Sequence, residues 1–187
     1  MKGRDVFKFF RFIIKSCSFF IGFLPNFLII FLYDLSSVLP GRIGVLIRYI
    51  LIDSICSLGD NVYIGRHVIF KNINNIEIGS NTSIHDFCYL DAIGNIKIGN
   101  NVSIAHGSSL VSFEHGYKDV EQPIKYNKLK LSQITIDDDV WVGCSVKILS
   151  GCIIKKRTII AAGAVVKGEL DSCGIYGGIP AKRIKDI

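Results

Sequence analysis

Between residues 58 and 110, apolar side chains recur at every sixth position within each of three units, and two extra residues separate one unit from the next. A longer period is superimposed on this step, because three similar segments begin 20 residues apart, at residues 58, 78 and 98. A six-residue step fits neither an α-helix nor a strand that alternates at every second residue. It predicts coils of three short parallel strands, whose apolar positions are Leu58, Ile64, Phe70, Ile78, Ile84, Leu90, Ile98, Ile104 and Leu110.

The stacking of successive coils is the expected source of the core. A single coil cannot bury its apolar face alone, so several coils must stack. Gly and Asn recur beside the apolar positions, as in residues 79–81 and 99–101, and they tolerate the positive φ angles of tight corners. An antiparallel sandwich of short strands is the alternative, and the fixed six- and 20-residue steps argue against it.

The repeat is interrupted once. It stops at His115 and resumes at Ile136, and the six-residue step then continues through Val142, Ile148, Ile154, Ile160 and Val166. The intervening residues 116–133 are polar and rich in Lys and Tyr. A long loop within so strict a repeat is more often functional than incidental, so we expect this loop to belong to a site.

The N-terminal segment, residues 1–57, follows a different pattern, in which cations precede a long uncharged stretch. Residues 17–33 hold no charged side chain and are rich in Phe. As one helix they would rise about 25 Å, which is short of a bilayer's hydrocarbon core, and Pro25 would kink that helix. The cations of the first 15 residues are Lys2, Arg4, Lys8, Arg11 and Lys15.

Three interpretations of this segment are open. A cleaved signal peptide is the weakest, since the charged region is long and no small-residue cleavage site follows it. A helical cap, packed against the β-coils or against a partner subunit, is the second. A monotopic or re-entrant attachment to the membrane is the third, and the Phe content and the basic flanks favour it.

The composition excludes two classes of function. The hydrophobic fraction is 49 % and the mean hydropathy is +0.39, which is high for a soluble domain. The net charge is +6, but the basic residues are divided among the N-terminus, the loop and the tail, so no nucleic-acid partner is expected. The six cysteines form no C-x-x-C pair, which indicates reduced cysteines packed as small apolar groups rather than a zinc or redox site.

Several motifs in a fixed order carry a family resemblance. After the hexads come His115 at the loop entrance, Val-Trp-Val-Gly at 140–143, Ala-Ala-Gly-Ala-Val-Val at 161–166 and Tyr-Gly-Gly-Ile-Pro-Ala-Lys at 176–182. This set resembles the hexapeptide-repeat O-acetyltransferases, above all the bacterial sugar and polysaccharide enzymes related to the galactoside and maltose acetyltransferases. The resemblance covers residues 58–187. It implies a left-handed β-helix, which departs from the usual right-handed crossover.

The expected fold class is therefore mainly β, with three parts. A hydrophobic helical segment with basic flanks occupies residues 1–57. The β-helix catalytic domain occupies residues 58–170 and carries the loop 116–133, and a short tail follows at 171–187.

The resemblance implies that His115 is the general base. A neutral imidazole can take the proton of a sugar hydroxyl as its oxygen attacks the thioester carbonyl of acetyl-CoA, which contributes about a hundred- to ten-thousandfold in rate. Backbone N–H groups would stabilise the developing oxyanion. Asp119 matches the acidic position that follows this His in the family, and its contact with the imidazole is left open.

Other family positions are carried over one by one. His85 stands where the sugar acetyltransferases usually have an Asn in the acceptor cleft, so it is either an acceptor contact or a simple corner residue. Trp141 is either a cleft residue or a ring packed on a neighbouring coil. The positions that contact coenzyme A in the family correspond to Cys144, Ala162, Lys167, Lys182 and Lys185. The last two also fit a solvated chain end.

We therefore expect an acetyl-CoA-dependent sugar O-acetyltransferase of surface polysaccharide or glycan synthesis, without a metal. The family's cleft lies between subunits, which implies a homotrimer, and acetyl-CoA implies a cytoplasmic site, at the inner face of the cell membrane if the N-terminal segment attaches there. The acceptor is a sugar or a lipid-linked glycan. Alternatives are N-acetylation of an amino sugar, possibly nucleotide-linked, and a non-catalytic scaffold at the membrane. A γ-class carbonic anhydrase would need His85, His106 and His115 to converge on a metal.

Overall fold

Three helices precede a left-handed parallel β-helix, which confirms the expected fold class. The computed structural model describes residues 3–187, without the side chains of Arg4 and Val6. Two of the five cations noted near the N-terminus, Lys2 and the side chain of Arg4, therefore lie outside the described part of the chain.

The helices divide the uncharged stretch between them. They are α1 (Gly3–Ile21), α2 (Asn26–Ser36) and α3 (Gly41–Asp53). Residues 17–33 thus belong to two helices rather than to one kinked helix. Pro25 stands directly before α2, where its missing N–H has no helical partner to lose. Within residues 3–187, none of the helices has the length and apolar character that a membrane crossing requires.

The strands form three parallel sheets, and nearly every coil contributes one short strand to each of them. The first sheet contains β1 (Ser57–Leu58), β4 (Ile76–Ile78), β7 (Ile96–Ile98), β12 (Ile134–Ile136), β15 (Ile153–Ile154) and β18 (Glu169–Leu170). The second contains β2 (Tyr63–Ile64), β5 (Ser83–Ile84), β8 (Ser103–Ile104), β13 (Trp141–Val142), β16 (Ile159–Ile160) and β19 (Gly174–Gly177). The third contains β3 (Ile69–Lys71), β6 (Tyr89–Asp91), β9 (Ser109–Val111), β14 (Lys147–Ile148) and β17 (Val165–Val166).

Three further strands lie outside this parallel pattern. β10 (Phe113–His115) and β11 (Leu129–Leu131) form an antiparallel hairpin, and β20 (Lys182–Asp186) pairs antiparallel with β19. Short 3₁₀-helices occupy Ile73–Asn75 and Ile124–Tyr126. The chain turns a corner after each sheet, and we name these the first–second, second–third and third–first corners.

The core lies along the axis of the β-helix. Ile64, Ile84 and Ile104 stack in register in the second sheet and are fully buried. Burial of each such side chain contributes about 1.5–3 kcal/mol, so the regular stack stabilises the coils. Phe70 is an exception among the hexad positions, because it is partly exposed and packs against the ring of Tyr33 in α2, at 5.8 Å between centroids.

Asn residues turn the first–second corner, as expected. Asn61, Asn81 and Asn101 have φ angles of 54°, 57° and 56°, and the amide of Asn61 donates to Oδ1 of Asn81 at 3.0 Å. Close packing of adjacent coils explains the neighbouring glycines. A Cβ atom on Gly79 would lie 2.5 Å from the carbonyl carbon of Gly99, so the next coil leaves no space for a side chain.

The helices cap the first coil through buried polar contacts. Arg48 of α3 is 1 % exposed and donates to the carbonyl oxygens of Ile64 (2.9 Å), Ser36 (3.0 Å) and Leu39 (3.2 Å). The hydroxyl of Tyr49 donates to the carbonyl of Gly59 at 2.9 Å. Because these bonds join α2 and α3 to the first coil, the helices and the β-helix form one packed unit.

Burial at this junction shifts the titration of three groups. It raises the pKa of Tyr33 and of Tyr49, and it raises the pKa of the Cys56 thiol to about 12. The hydroxyl of Tyr33 donates to the carbonyl of Val68 at 2.7 Å, which favours its neutral form further. All six cysteines are free thiols, and Cys88 and Cys152 are buried among the apolar side chains of the coils.

Candidate active site

His115 ends β10, where the chain leaves the third–first corner for the long loop. It lies opposite Leu129 in the hairpin with β11, and its exposed ring meets the edge of Phe113, at 6.1 Å between centroids. The hairpin fixes the backbone on both sides of the imidazole. With the loop it lines a cavity of about 490 Å³, whose other residues are Glu114, Gly116, Tyr117, Lys118, Asp119, Gln122, Asn127, Lys128 and Lys130.

The side chain of Asn127 holds this loop together and is only 6 % exposed. Its amide group donates to the carbonyl of Asp119 at 3.1 Å and to those of Gln122 and Pro123 at 3.4 Å, and its Oδ1 accepts the N–H of Asp119 at 3.1 Å. One buried amide thus satisfies four backbone groups of an otherwise irregular segment. A polar residue in a polar loop has no periodic signal, so no sequence pattern distinguishes Asn127 from its neighbours.

Asp119 holds the loop in place and does not orient the imidazole of His115. Its carboxylate accepts hydrogen bonds from the N–H of Glu121 at 3.1 Å and from the side-chain amide of Gln122 at 2.7 Å. Within residues 3–187, the hydrogen bonds of this carboxylate do not include one with His115. Asp119 nonetheless lines the same cavity as His115, where it stays a predicted substrate contact.

His85 and Trp141 lie on or beside the second sheet. His85 follows β5, is exposed, and has its ring 5.4 Å from that of Tyr63, between centroids. Trp141 is 54 % exposed and pairs with Ser103 and Ile159 on the two adjacent coils. An exposed indole on a sheet surface is not a packed corner ring, which leaves it available to a ligand or a partner subunit.

Cys144 and Ala162 stack at the second–third corner of adjacent coils. The N–H of Gly163 donates to the carbonyl of Cys144 at 2.9 Å, and the side chain of Ala162 is exposed. Both residues of this column have small side chains. Lys167 is also exposed but lies at the third–first corner, after β17.

The tail lysines differ from the arginine between them. Arg183 donates to the carboxylate of Asp186 at 2.7–2.8 Å, to the hydroxyl of Tyr176 at 2.9 Å and to the carbonyl of Ser172 at 3.2 Å, so it holds β20 in place. Lys182 and Lys185 are exposed, and in the described part of the chain they form neither an ion pair nor a side-chain hydrogen bond. These two cations are therefore free for a ligand.

A single chain separates the predicted site residues into groups. His115 lies at the third–first corner, whereas His85, Cys144 and Ala162 lie at the second–third corner, across the third sheet. The cavity beside His115 includes Asp119 alone among the other predicted site residues. Within residues 3–187 there is also no group of three or more His, Cys, Asp or Glu side chains placed to hold a metal ion.

Known proteins similar to this chain include acetyltransferases. Residues 133–168 match the family described as bacterial transferase hexapeptide (six repeats). A probable acetyltransferase of Mycobacterium tuberculosis is 29 % identical over 128 residues, 68 % of this chain and 36 % of that protein. A putative lipopolysaccharide biosynthesis O-acetyl transferase of Escherichia coli K12 is 28 % identical over 128 residues, 67 % of this chain and 58 % of that protein. The mitochondrial gamma carbonic anhydrase 2 of Arabidopsis thaliana is 29 % identical over 131 residues, 69 % of this chain and 42 % of that protein.

The chain thus spans between 36 % and 58 % of the length of these relatives. Two solved structures share its fold. A maltose O-acetyltransferase from Clostridium difficile 630 has a TM-score of 0.75 and 22 % identity, covering 83 % of this chain and 82 % of that one. A galactoside acetyltransferase in complex with coenzyme A has a TM-score of 0.74 and 25 % identity, covering 83 % and 77 %.

The fold and the repeat define a left-handed β-helix protein built from hexapeptides. Within that class, the chain is similar to the hexapeptide-repeat acetyltransferases that its motifs resemble.

Proposed function

We propose that this protein is an acetyl-CoA-dependent O-acetyltransferase that modifies a sugar hydroxyl in surface polysaccharide or glycan synthesis. The observation that carries the proposal is the position of His115. Its exposed imidazole stands at the mouth of an ordered loop and lines a cavity of about 490 Å³. The E. coli relative is named as a lipopolysaccharide O-acetyl transferase, which agrees with this class of acceptor.

The reaction needs one base and no acyl-enzyme. His115 takes the proton of the acceptor hydroxyl as that oxygen bonds to the thioester carbonyl carbon. The carbon–sulfur bond then breaks, and the imidazolium returns the proton to the departing thiolate of coenzyme A. Backbone N–H groups of the coils are the candidates for stabilising the oxyanion, because they are fixed before the reaction begins.

Coenzyme A is proposed to lie along the second–third corner of the upper coils. The small residues Cys144 and Ala162 leave room there for the pantetheine arm. The free cations Lys182 and Lys185 at the tail, together with Lys167, would pair with the phosphates, since charge-assisted bonds to phosphate are among the strongest in proteins. The solved galactoside acetyltransferase contains coenzyme A, which supports the same co-substrate here.

The division of the site between corners supports a homotrimer. In one chain His115 and Trp141 lie on different sides of the β-helix. A neighbouring subunit would supply the side chains that one chain holds apart, and the exposed Trp141 is available for such a contact. Light scattering of the purified protein measures this directly, and a monomer that transfers acetyl groups at full rate would refute the shared site.

Attachment to the inner face of the cell membrane is part of the proposal. The outer surface of the helices is strongly apolar, with exposed side chains that include Phe9, Phe12, Phe19, Phe20, Phe23, Phe27, Phe31, Leu35, Val38 and Ile43. So large an apolar surface is seldom left in water. The exposed cation Lys8 on α1 would meet anionic headgroups, whereas Arg11 is already paired with the carboxylate of Asp60.

Replacement of the proposed base tests the function. We expect His115→Ala to lower kcat for acetyl transfer to a sugar by at least about a hundredfold, with coenzyme A affinity unchanged. His67→Asn is the matched control, because it removes another exposed imidazole while tolerating the φ of 55° at that corner. Full activity of His115→Ala would overturn the assignment. If the wild type acetylates only amino sugars, the proposed O-acetylation would be replaced by N-acetylation. If the wild type transfers no acetyl group, the alternative of a non-catalytic scaffold would be favoured.

A further inference from the structure

Two adjoining cavities lie where α1 and α3 meet the first coils. The larger, about 430 Å³, is mainly apolar and is lined chiefly by Phe7, Phe10, Ile13, Ile14 and Leu46. The smaller, about 320 Å³, is lined by Arg42, Val45, Arg48, Tyr63, Arg66 and Gly41. Arg42, Val45 and Tyr63 line both, so the two cavities form one groove with an apolar end and a cationic end.

Arg48 gives the cationic end a buried positive charge. Its hydrogen bonds go to three backbone carbonyl oxygens, and within residues 3–187 no carboxylate forms an ion pair with it. A cation that is 1 % exposed and hydrogen-bonded only to neutral groups has lost most of its hydration without gaining a paired counter-charge, because the neighbouring carboxylate of Asp86 pairs with Arg66 instead. An anion in this cavity would supply that counter-charge.

Arg42 and Arg66 stand at the same end. Arg42 is exposed, and within the described residues it has neither a hydrogen bond nor an ion pair. Arg66 has Asp86 as its partner, at 3.5 Å, and Asp86 also accepts the backbone N–H of Arg66 at 2.8 Å. Three guanidinium groups therefore line this cavity and one carboxylate pairs with one of them, which leaves a net charge of about +2 for a ligand. The planar fork of a guanidinium matches the oxygens of a phosphate group.

We propose that this groove binds a phosphate-headed lipid, with its hydrocarbon chain at the apolar end and its phosphate among Arg42, Arg48 and Arg66. This rests on the proposed function, because the lipid phosphate would carry the acceptor sugar. A flat anionic bilayer does not account for the groove, since Arg48 is buried within it. Cations that suit a bilayer surface, such as Lys8, lie outside it.

The groove also points toward the predicted acceptor site. Tyr63 lines both cavities, and its ring lies 5.4 Å from that of His85 on the next coil. The backbone of Gly65, beside Arg66, donates to Ile84, beside His85, at 2.8 Å. A sugar attached to the phosphate would therefore leave the groove at the second–third corner, next to His85. This gives His85 a positioning role for the acceptor.

Binding of geranyl phosphate to the full-length protein tests the proposal. Isothermal titration in a constant detergent background compares it with geraniol, which lacks the phosphate, and with inorganic phosphate, which lacks the chain. Arg42→Ala removes one guanidinium, and its control Lys8→Ala removes a cation outside the groove. Leu46→Trp fills the apolar end, and its control Ile43→Trp adds the same ring to an exposed position on the same helix.

We expect the wild type to bind geranyl phosphate at least about tenfold more tightly than either comparator, because charge-assisted bonds and chain burial act together. Arg42→Ala and Leu46→Trp should each weaken it at least about tenfold, and the two controls less than about twofold. Equal losses in Arg42→Ala and Lys8→Ala would indicate unspecific attraction of the phosphate to a cationic protein surface and would overturn the proposal. Equal binding of inorganic phosphate, or no effect of Leu46→Trp on binding, would overturn the claim that the ligand is a lipid.

A separate assay distinguishes this proposal from the enzyme function on which it rests. Acetyl transfer from acetyl-CoA to a free sugar is measured on the wild type beside the lipid titration, because this acceptor carries no lipid phosphate. Acetyl transfer by a wild type that does not bind geranyl phosphate would refute the groove alone. Groove-dependent binding without any acetyl transfer would refute the proposed function and leave the lipid site standing.

Discussion

Asn127 is the residue on which the order of the loop depends, and Asn127→Ala measures that dependence. The substitution removes two hydrogen bonds of 3.1 Å and two of 3.4 Å. The shorter pair contribute about 0.5–1.5 kcal/mol each, and the longer pair contribute little at that distance. The loop should therefore lose about 1–3 kcal/mol of local stability, which makes its amides exchange about 5 to 150 times faster.

Hydrogen exchange measured by mass spectrometry reports this change peptide by peptide. We expect faster exchange within residues 116–133 only, because the loop lies outside the three sheets and the coils keep all their bonds. Gln133→Ala is the control, since it removes an exposed amide whose one side-chain bond is to Thr135. Unchanged loop exchange in Asn127→Ala would refute the reasoning, as would an equal effect of Gln133→Ala.

Two further predictions concern the junction and the tail. Above about pH 9 the free energy of unfolding should fall, because the pKa of Cys56 rises from 9.0 in the unfolded chain to about 12 on folding, so the folded state holds a proton that the unfolded state has lost. Urea titrations on both sides of pH 9 measure this, with a slope of up to about 1.4 kcal/mol per pH unit, and Cys56→Ala should reduce the slope. In the tail, Lys182→Ala combined with Lys185→Ala should weaken coenzyme A binding at least about fivefold at low salt while leaving the melting temperature unchanged. Arg183→Ala should instead lower the melting temperature. An unchanged coenzyme A affinity in the double variant would mean that the two lysines do not bind the coenzyme and belong to a solvated chain end.

The β-helix was predictable because its core uses one local rule. Each hexad position has its aliphatic side chain on the axis, so the six-residue step identifies the strands without knowledge of distant contacts. The same rule fails at the end of the chain, where Tyr176 fills the hexad position and β20 returns antiparallel to β19. That pairing is stabilised by the hydrogen bonds of Arg183 to Tyr176 and Ser172, and no periodic sequence pattern predicts these bonds.

The helical cap was less predictable, since its key contacts are not local. Residues 17–33 form one apolar stretch in the sequence. In the structure, however, α1 ends just before Gly22 and α2 begins just after Pro25, so the stretch is divided between two helices. An arginine within an apolar segment suggests a surface charge, whereas Arg48 is buried and bonds to backbone carbonyls of α2, of the α2–α3 turn and of the first coil. Such a contact depends on how α3 docks, which residue types alone do not specify.

The separate parts of the proposed site follow one another along the axis of the β-helix. The helices and the groove beside them lie at the first coil, and His85 lies on the second. His115 leaves from the third, while Cys144 and Ala162 occupy the next two coils toward the tail lysines. An acceptor held from the helical end and a coenzyme held from the tail end would therefore approach each other at the coil from which His115 departs. Because the loop is inserted at that coil, its position along the axis supports the proposal that His115 acts there.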